Sequence, residues 1–263
     1  MGGKVPGRVA EDIKKRISKT AKILLFLDYD GTLTPIRKKP GLAKLGKKTR
    51  TLLKRLSRLR SIDLFIISGR ALRDVKNLVK IKSITYSGNH GIELDGPHYS
   101  YINPTAKAMR GEVQHCYRLI RKKLKVKGVI LENKIYTLSV HYRVVAATDI
   151  KKLMRIFDSA ISHLRGNKMI RITEGKKVLE VRPNAKWDKG KVIRLILGKK
   201  SSKKALPIYI GDDITDEDAF RALGKKGISI LVSSEGRRTS ARYTVRSPEE
   251  VFNILDLILT EHA

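Results

Sequence analysis

Residues 23–34 read ILLFLDYDGTLT, an apolar run that stops abruptly at two aspartates and a glycine. Ile23 to Leu27 is short, continuous and rich in branched side chains, the pattern of a strand buried on both faces of a parallel sheet. Asp28 and Asp30 follow at its C-terminal end, where open α/β sheets hold their ligands. Residues two apart in an extended exit point the same way, so both carboxylates are expected to face one pocket. Two like charges alone there are costly; a hard cation or a shared proton is expected between them. A solvated Asp-rich turn is the alternative that a lone Asp-x-Asp leaves open.

Segments further along the chain bear on that alternative. IDLFIISGR at 62–70 ends a second apolar run in a hydroxyl, WDKGKV at 187–192 offers a lysine, and LPIYIGDDITDEDAF at 206–220 ends another strand-like run in an acidic cluster. In this order they resemble the motifs of the haloacid-dehalogenase-like phosphohydrolases. With SGR, GNHG (88–91), ENKIYTLSVHYR (132–143) and LEVRP (179–183), the chain from about residue 22 onward is similar to the trehalose-6-phosphate phosphatases. That resemblance implies Mg²⁺-dependent hydrolysis of trehalose 6-phosphate through an aspartyl-phosphate. A phosphatase of another glycosyl phosphate, of the sucrose-phosphate or glycosyl-glycerate-phosphate type, is the alternative enzyme.

The rhythm of the sequence divides it. Apolar runs at Ile23–Leu27, Ile62–Ile67 and Ile84–Ser87 alternate with helical patterns, including Leu52, Leu53, Leu56 and Leu59 on one face of a helix over 47–60. Such βαβ units have right-handed crossovers. From Ala106 the order becomes helix, hairpin, helix, hairpin, with turns at Asn133-Lys134 and Glu174-Gly175. After Pro183 the first rhythm resumes: Asp188 caps a helix, Thr215 with Asp218 resembles a capping box, and Ser247-Pro248 opens the last helix. The expectation is a doubly wound parallel-sheet (Rossmann-like) α/β core over 1–103 and 182–263, interrupted by an α+β cap over 104–181. Residues 1–9 are expected to form a loose arm.

Phosphate esters resist attack because their anionic oxygens repel a nucleophile, so charge must be neutralised and attack aligned. The resemblance assigns Asp28 as nucleophile and Asp30 as the acid and base. Ser68 becomes a phosphoryl contact, and Lys189 the cation that steadies the transferring group. Mg²⁺ would take oxygens from Asp28, the main-chain carbonyl of Asp30 and Asp212, with Asp213 and Asp216 orienting metal waters and Lys189. Gly69, Arg70, Asn89 and His90 are expected near the substrate. In the cap, Glu132 and Lys134 flank a turn, while Glu180 with Arg182, and His141 with Arg143, alternate along strands and so share a face. These are the expected sugar and phosphate contacts, against the plainer reading of charged hairpin surfaces. Asn89 stands where the family has a small residue. Some relatives also carry a glycosyltransferase domain; here a separate synthase is expected to supply the substrate.

The balance of charge is unusual: 57 Lys and Arg against 25 Asp and Glu, a formal +32. It raises nucleic-acid binding by a non-catalytic protein as a reading of another class. The basic pairs are scattered (Lys47-Lys48, Lys122-Lys123, Lys199-Lys200, Lys203-Lys204), and aromatics are only 6%. A solvated surface that attracts anions is the expectation, without specific nucleic-acid binding. The single cysteine, Cys116, excludes an internal disulfide and reads as a small core residue. No apolar run nears the roughly 18 residues of a membrane span, and no signal peptide is evident. A cytoplasmic monomer is expected.

Overall fold

The computed structural model describes residues 7–37, 40–164, 166, 168–175, 177–199 and 204–262. The expected loose arm up to residue 6, and Lys200 and Lys203 of the basic pairs, lie outside them. The first part of the chain forms α1 (Gly7–Ile17), β1 (Ile23–Leu27), α2 (Lys47–Leu56), β2 (Ile62–Ile67), α3 (Leu72–Val79), β3 (Thr85–Gly88), β4 (Glu93–Gly96) and β5 (Tyr99–Ile102). There follow α4 (Pro104–Ala108), α5 (Arg110–Lys123), β6 (Ile130–Asn133), β7 (Leu138–His141), α6 (Ala147–Ile161), β8 (Ile170–Gly175) and β9 (Val178–Pro183). The last part holds α7 (Lys189–Leu197), β10 (Leu206–Gly211), α8 (Glu217–Leu223), β11 (Ile228–Val232), β12 (Tyr243–Val245) and α9 (Pro248–His262).

Two compact units result, 1–101 with 187–263, and 102–186. The expected limits are 103/104 and 181/182; β9 runs on to Pro183 without a break. The larger unit holds an eight-stranded sheet in the order β12-β11-β10-β1-β2-β3-β4-β5. Neighbours from β12 to β3 are parallel, and β4 returns antiparallel to β3. The fully buried runs owe their composition to helices on both sides. Ile23, Leu25 and Leu27 join a core with Ile13 of α1, Leu53 of α2, Val75 of α3 and Ile254 of α9. Leu24 and Phe26 face the opposite core, with Val192 and Ile196 of α7 and Phe220 of α8. Period-two alternation thus serves two apolar layers, the arrangement of a doubly wound α/β core.

Several local expectations need correction. α1 starts at Gly7, not after a loose arm reaching residue 9, because Val9 already packs with Ile13 and Ile17. β4, β5 and β12 carry no long apolar run, being edge or near-edge strands, and the sequence pattern alone misses them. The first cap turn spans 134–137, since Asn133 pairs with Leu138. The capping box is Asp213 with Asp216, not Thr215 with Asp218.

In the smaller unit, four antiparallel strands lie in the order β6-β7-β9-β8. One face, with Leu138, Val140, Leu179 and Val181, packs on Val113, Cys116 and Ile120 of α5 and Leu153 and Phe157 of α6. Cys116 is a buried free thiol, as expected of a small core residue. No helix among the described residues is long and apolar enough to cross a membrane.

Phe65 is fully buried, stacked on Phe26 at 4.7 Å and edge-on to Tyr99 at 5.0 Å. Phe65→Ala is expected to cost about 3–5 kcal/mol, read by urea unfolding; a loss under about 1 kcal/mol would mean that this layer can collapse around the gap.

Candidate active site

β1 is the strand at which the chain order reverses: β2 and β3 follow on one side, β10 to β12 on the other. Ligands of open α/β sheets bind at such a point, beyond the carboxyl ends of the strands. Leu27 is in register with Ile210, so the chain leaves β1 through Asp28 beside the exit of β10 through Asp212. The Asp28 amide donates to the Ile210 carbonyl at 2.9 Å. Gly31 (φ +83) and Gly211 leave room for carboxylates: a Cβ on Gly31 would collide with Asp212, and one on Gly211 with Asp216.

The third segment is the start of α7. Asp188 caps the helix by accepting from the Lys191 amide at 2.8 Å. Trp187 stacks on Tyr101 and donates Nε1–H to the Gly91 carbonyl at 2.7 Å. Lys189, 2% exposed, is thereby driven inward. Its Nζ donates to Asp28 Oδ1 at 2.7 Å and to Asp216 Oδ1 at 2.6 Å. Asp216 also accepts from the Tyr209 hydroxyl at 2.6 Å and the Asp213 amide at 2.9 Å. Tyr209 escaped the sequence reading. A tyrosine in the otherwise apolar run of β10 was the available signal, since a buried phenol needs a partner.

Burial pushes the Asp28 carboxyl well above the ordinary carboxylate range; Lys189 opposes this, and Asp216 and Asp212 add to it. Burial alone would lower the Lys189 pKa, but Asp216 and Asp28 outweigh it and keep the ammonium charged. Burial first, then Asp216 and Asp213, push Asp212 up to about 7 against the pull of Lys189. One oxygen from each of Asp28, Asp212 and Asp216 lies within 4.8 Å of the others. Asp212 Oδ1 is buried with no hydrogen-bond partner. Crowded hard oxygens, one of them unsatisfied, fit a divalent cation. Asp216 spends both oxygens on protein donors, so Asp28 and Asp212 are the better ligands.

Asp30 stands apart from this cluster. Arg70 grips it with Nε on Oδ2 and Nη2 on Oδ1, both at 2.6 Å, while its guanidinium lies 5.4 Å from the Tyr29 ring centre. Ser68 is buried, and its Oγ accepts from the Arg70 amide at 3.1 Å. Gly69 leaves space for the His90 ring, and the His90 amide donates to the Ser68 carbonyl. Asn89, expected near the substrate, is fully buried, and its side-chain amide donates to Glu93 at 2.5 Å. Asp213 is exposed and accepts from the Ile214 amide, which makes it a helix cap.

In the smaller unit, Glu132, Ser139 and Glu180 are consecutive register partners across β6, β7 and β9. Period two puts Lys134, His141 and Arg182 on the same face, opposite the apolar one. His141 Nε2 lies 3.0 Å from Glu132 Oε2, Lys134 Nζ 3.3 Å from Glu180 Oε1, and Arg182 Nε 3.5 Å from Glu180 Oε2. Ser139, unforeseen, donates to Glu180 at 3.0 Å. Arg143 does not join them: β7 ends at His141, the chain turns between Tyr142 and Val145, and Arg143 is exposed.

The family model described as trehalose-phosphatase matches residues 26–249. A probable trehalose-phosphate phosphatase D of Arabidopsis thaliana is 38% identical over 261 residues, covering 92% of this chain and 68% of that protein. A probable trehalose-phosphate phosphatase H of the same plant is 36% identical, covering 92% and 73%. Among solved structures, a trehalose-6-phosphate phosphatase of Aspergillus fumigatus aligns with a TM-score of 0.65 at 25% identity, covering 98% of this chain and 99% of that one. The C-terminal domain of the C. albicans trehalose-6-phosphate phosphatase, 24% identical, shares the fold with a TM-score of 0.73 over 95% and 97%.

The Asp212 shift sets a pH dependence for the cation-free protein. Above the ordinary carboxylate pKa of about 4 the unfolded chain has released this proton while the folded chain retains it. Asp212 therefore subtracts stability as pH rises from there to about 7. Asp212→Asn lacks this penalty. In chelator, the Tm of the variant minus that of the parent should climb across this interval and level off above it. A difference independent of pH would mean that Asp212 does not hold a proton there.

Proposed function

Because the chain belongs to the trehalose-phosphatase family, we propose that it hydrolyses trehalose 6-phosphate to trehalose and phosphate by attack of Asp28 on phosphorus. The observation that carries this reading is the convergence of Asp28, Lys189, Asp212 and Asp216 at the exits of β1 and β10. Asp28 and Asp216 both face the fixed ammonium and belong to the cation cluster, but Asp216 spends both oxygens on protein donors, which leaves Asp28 as the nucleophile. As its oxygen bonds phosphorus, the bond to the sugar oxygen breaks and that oxygen takes a proton from Asp30. Asp30 then takes a proton from the water that attacks phosphorus, and the Asp28 carboxylate is released. Arg70 occupies both Asp30 oxygens in the structure, so the fork opens when an anionic substrate draws on the guanidinium.

Mg²⁺, held by Asp28, Asp212 and the main-chain carbonyl of Asp30, would supply neutralising charge for the phosphoryl oxygens. Lys189 supports the same charge from within the protein, held by Asp216, which is itself fixed by the Tyr209 hydroxyl. Ser68 offers a hydroxyl to a phosphoryl oxygen. In the cap, the charged row of Glu132, Lys134, His141, Glu180 and Arg182 recognises sugar hydroxyls, which need donors and acceptors in fixed directions. A separate synthase supplies the substrate.

Asp28→Asn keeps the shape but removes the nucleophile, and turnover should disappear. Retained turnover, or full activity in chelator, would sink the mechanism. Initial rates across a panel of sugar phosphates test the substrate, with trehalose 6-phosphate expected to lead.

Glu132→Gln and Glu180→Gln test the cap. Loss of a charge-assisted hydrogen bond costs about 1.5–3 kcal/mol, so kcat/KM for trehalose 6-phosphate should fall about tenfold or more. The fall for p-nitrophenyl phosphate should be several times smaller. Equal losses on both substrates would assign these residues to the fold or the chemistry instead.

A further inference from the structure

The loop between β11 and β12 has no part in the reaction as described, yet it is tied directly to the acidic turn. β11 runs parallel to β10, so the chain leaves β11 at the same end of the sheet at which Asp212 leaves β10. Within this loop, Arg237 reaches out with two arms. Its Nη1 donates to Glu217 Oε1 at 2.7 Å, and its Nη2 donates to the Asp213 carbonyl at 2.9 Å. Glu217, itself buried, is the anchor: it also accepts from the Thr239 hydroxyl at 2.8 Å and from the Ser240 amide at 2.7 Å. Burial would raise the Glu217 pKa, but Ser240, Thr239 and Arg237 outweigh it, lower the pKa and keep the carboxylate charged. The loop is further closed by the Gly236 amide on Ser233 Oγ and the Arg242 amide on the Ser229 carbonyl.

Asp212 gains most from such a brace. Asp216 is gripped through both oxygens and Asp28 through Lys189, whereas Asp212 Oδ1 is buried with no hydrogen-bond partner. The direction of the Asp212 carboxylate is therefore set by the backbone of the turn that carries it. Inside, that turn is held by Asp216 through the Asp213 amide; outside, it is held by Arg237 through the Asp213 carbonyl.

We propose that Arg237 is a positioning residue of the divalent-cation centre, a strap that fixes the 212–216 turn and so aims Asp212. The inference rests on the reading of Asp28 and Asp212 as cation ligands. Sign separates it from simple electrostatics. A guanidinium near a cation site repels the ion, so its removal on Coulomb grounds alone would tighten binding. Loss of positioning weakens it, as loss of an outer support does by about 10–100-fold in metal sites.

The test is a titration of the full chain with Mn²⁺, the free ion counted by EPR, well below each variant's Tm. Arg237→Ala and Arg237→Lys should weaken binding on the order of tenfold, because lysine keeps the charge but cannot bridge both acceptors. Glu217→Gln should move in the same direction. Arg238→Ala removes an exposed neighbouring charge and should leave the affinity unweakened. Unchanged or tighter binding in Arg237→Ala and Arg237→Lys overturns the proposal, as does equal weakening in Arg238→Ala. Asp212→Asn separates the two readings. If it binds Mn²⁺ as well as the parent, the ligand assignment fails and this inference with it. If it loses binding while the Arg237 variants keep theirs, the strap alone is refuted.

Discussion

A lysine ammonium held out of water between two carboxylates is the constraint around which this core is arranged. Lys189 and Asp216 are buried almost completely, and Asp28 nearly so. Removing one such charge from water costs several kcal/mol, and only close, well-aligned partners offset it. Here the partners come from widely separated parts of the chain, the ends of β1 and β10 and the first turn of α7. None of the three segments can move without leaving a buried charge uncompensated. The aromatic contact of Trp187, the Asp188 cap and the glycines at 31 and 211 all serve that closure.

The same cluster is deliberately unbalanced. One ammonium stands among three carboxylates, and Asp28 and Asp212 are both pushed upward in pKa. Carboxylates crowded in this way are the kind of site that a divalent cation would stabilise. Around it, the formal charge of +32 gives the protein a field that raises the local concentration of anionic solutes, phosphate monoesters included. The cap sheet meets a related problem in its own way. Its apolar face is covered by α5 and α6, and the other face gathers acids and bases that pair with one another in charge.

Much of this was legible in the residues themselves. Period-two alternation in ILLFL and IDLFII predicts a sheet covered on both sides, because an apolar side chain on each face of a strand needs an apolar layer to meet it. Local rules put Asp28 and Asp212 at strand exits and Lys189 at a helix start, but among 57 lysines and arginines it is the resemblance that singles out Lys189 and gives the three their roles. Alternation also puts Glu180 with Arg182 on one face of their strand, whereas it takes the register of β6, β7 and β9 to bring Glu132 onto that face. Edge strands such as β12 lack this signal, since a few residues on one edge need no apolar run.

Tertiary structure alone decided who partners whom. That Arg70 grips Asp30 and that Lys134 reaches Glu180 depend on register and on distances between remote segments. Tyr209 and Arg237 belong to the same class, for their hydroxyl and guanidinium find acceptors that no local pattern marks. Alternation and capping act over a few residues and can be read along the chain. The compensation of buried charge acts across the fold, and it is fixed only when β1, β10 and α7 are brought together.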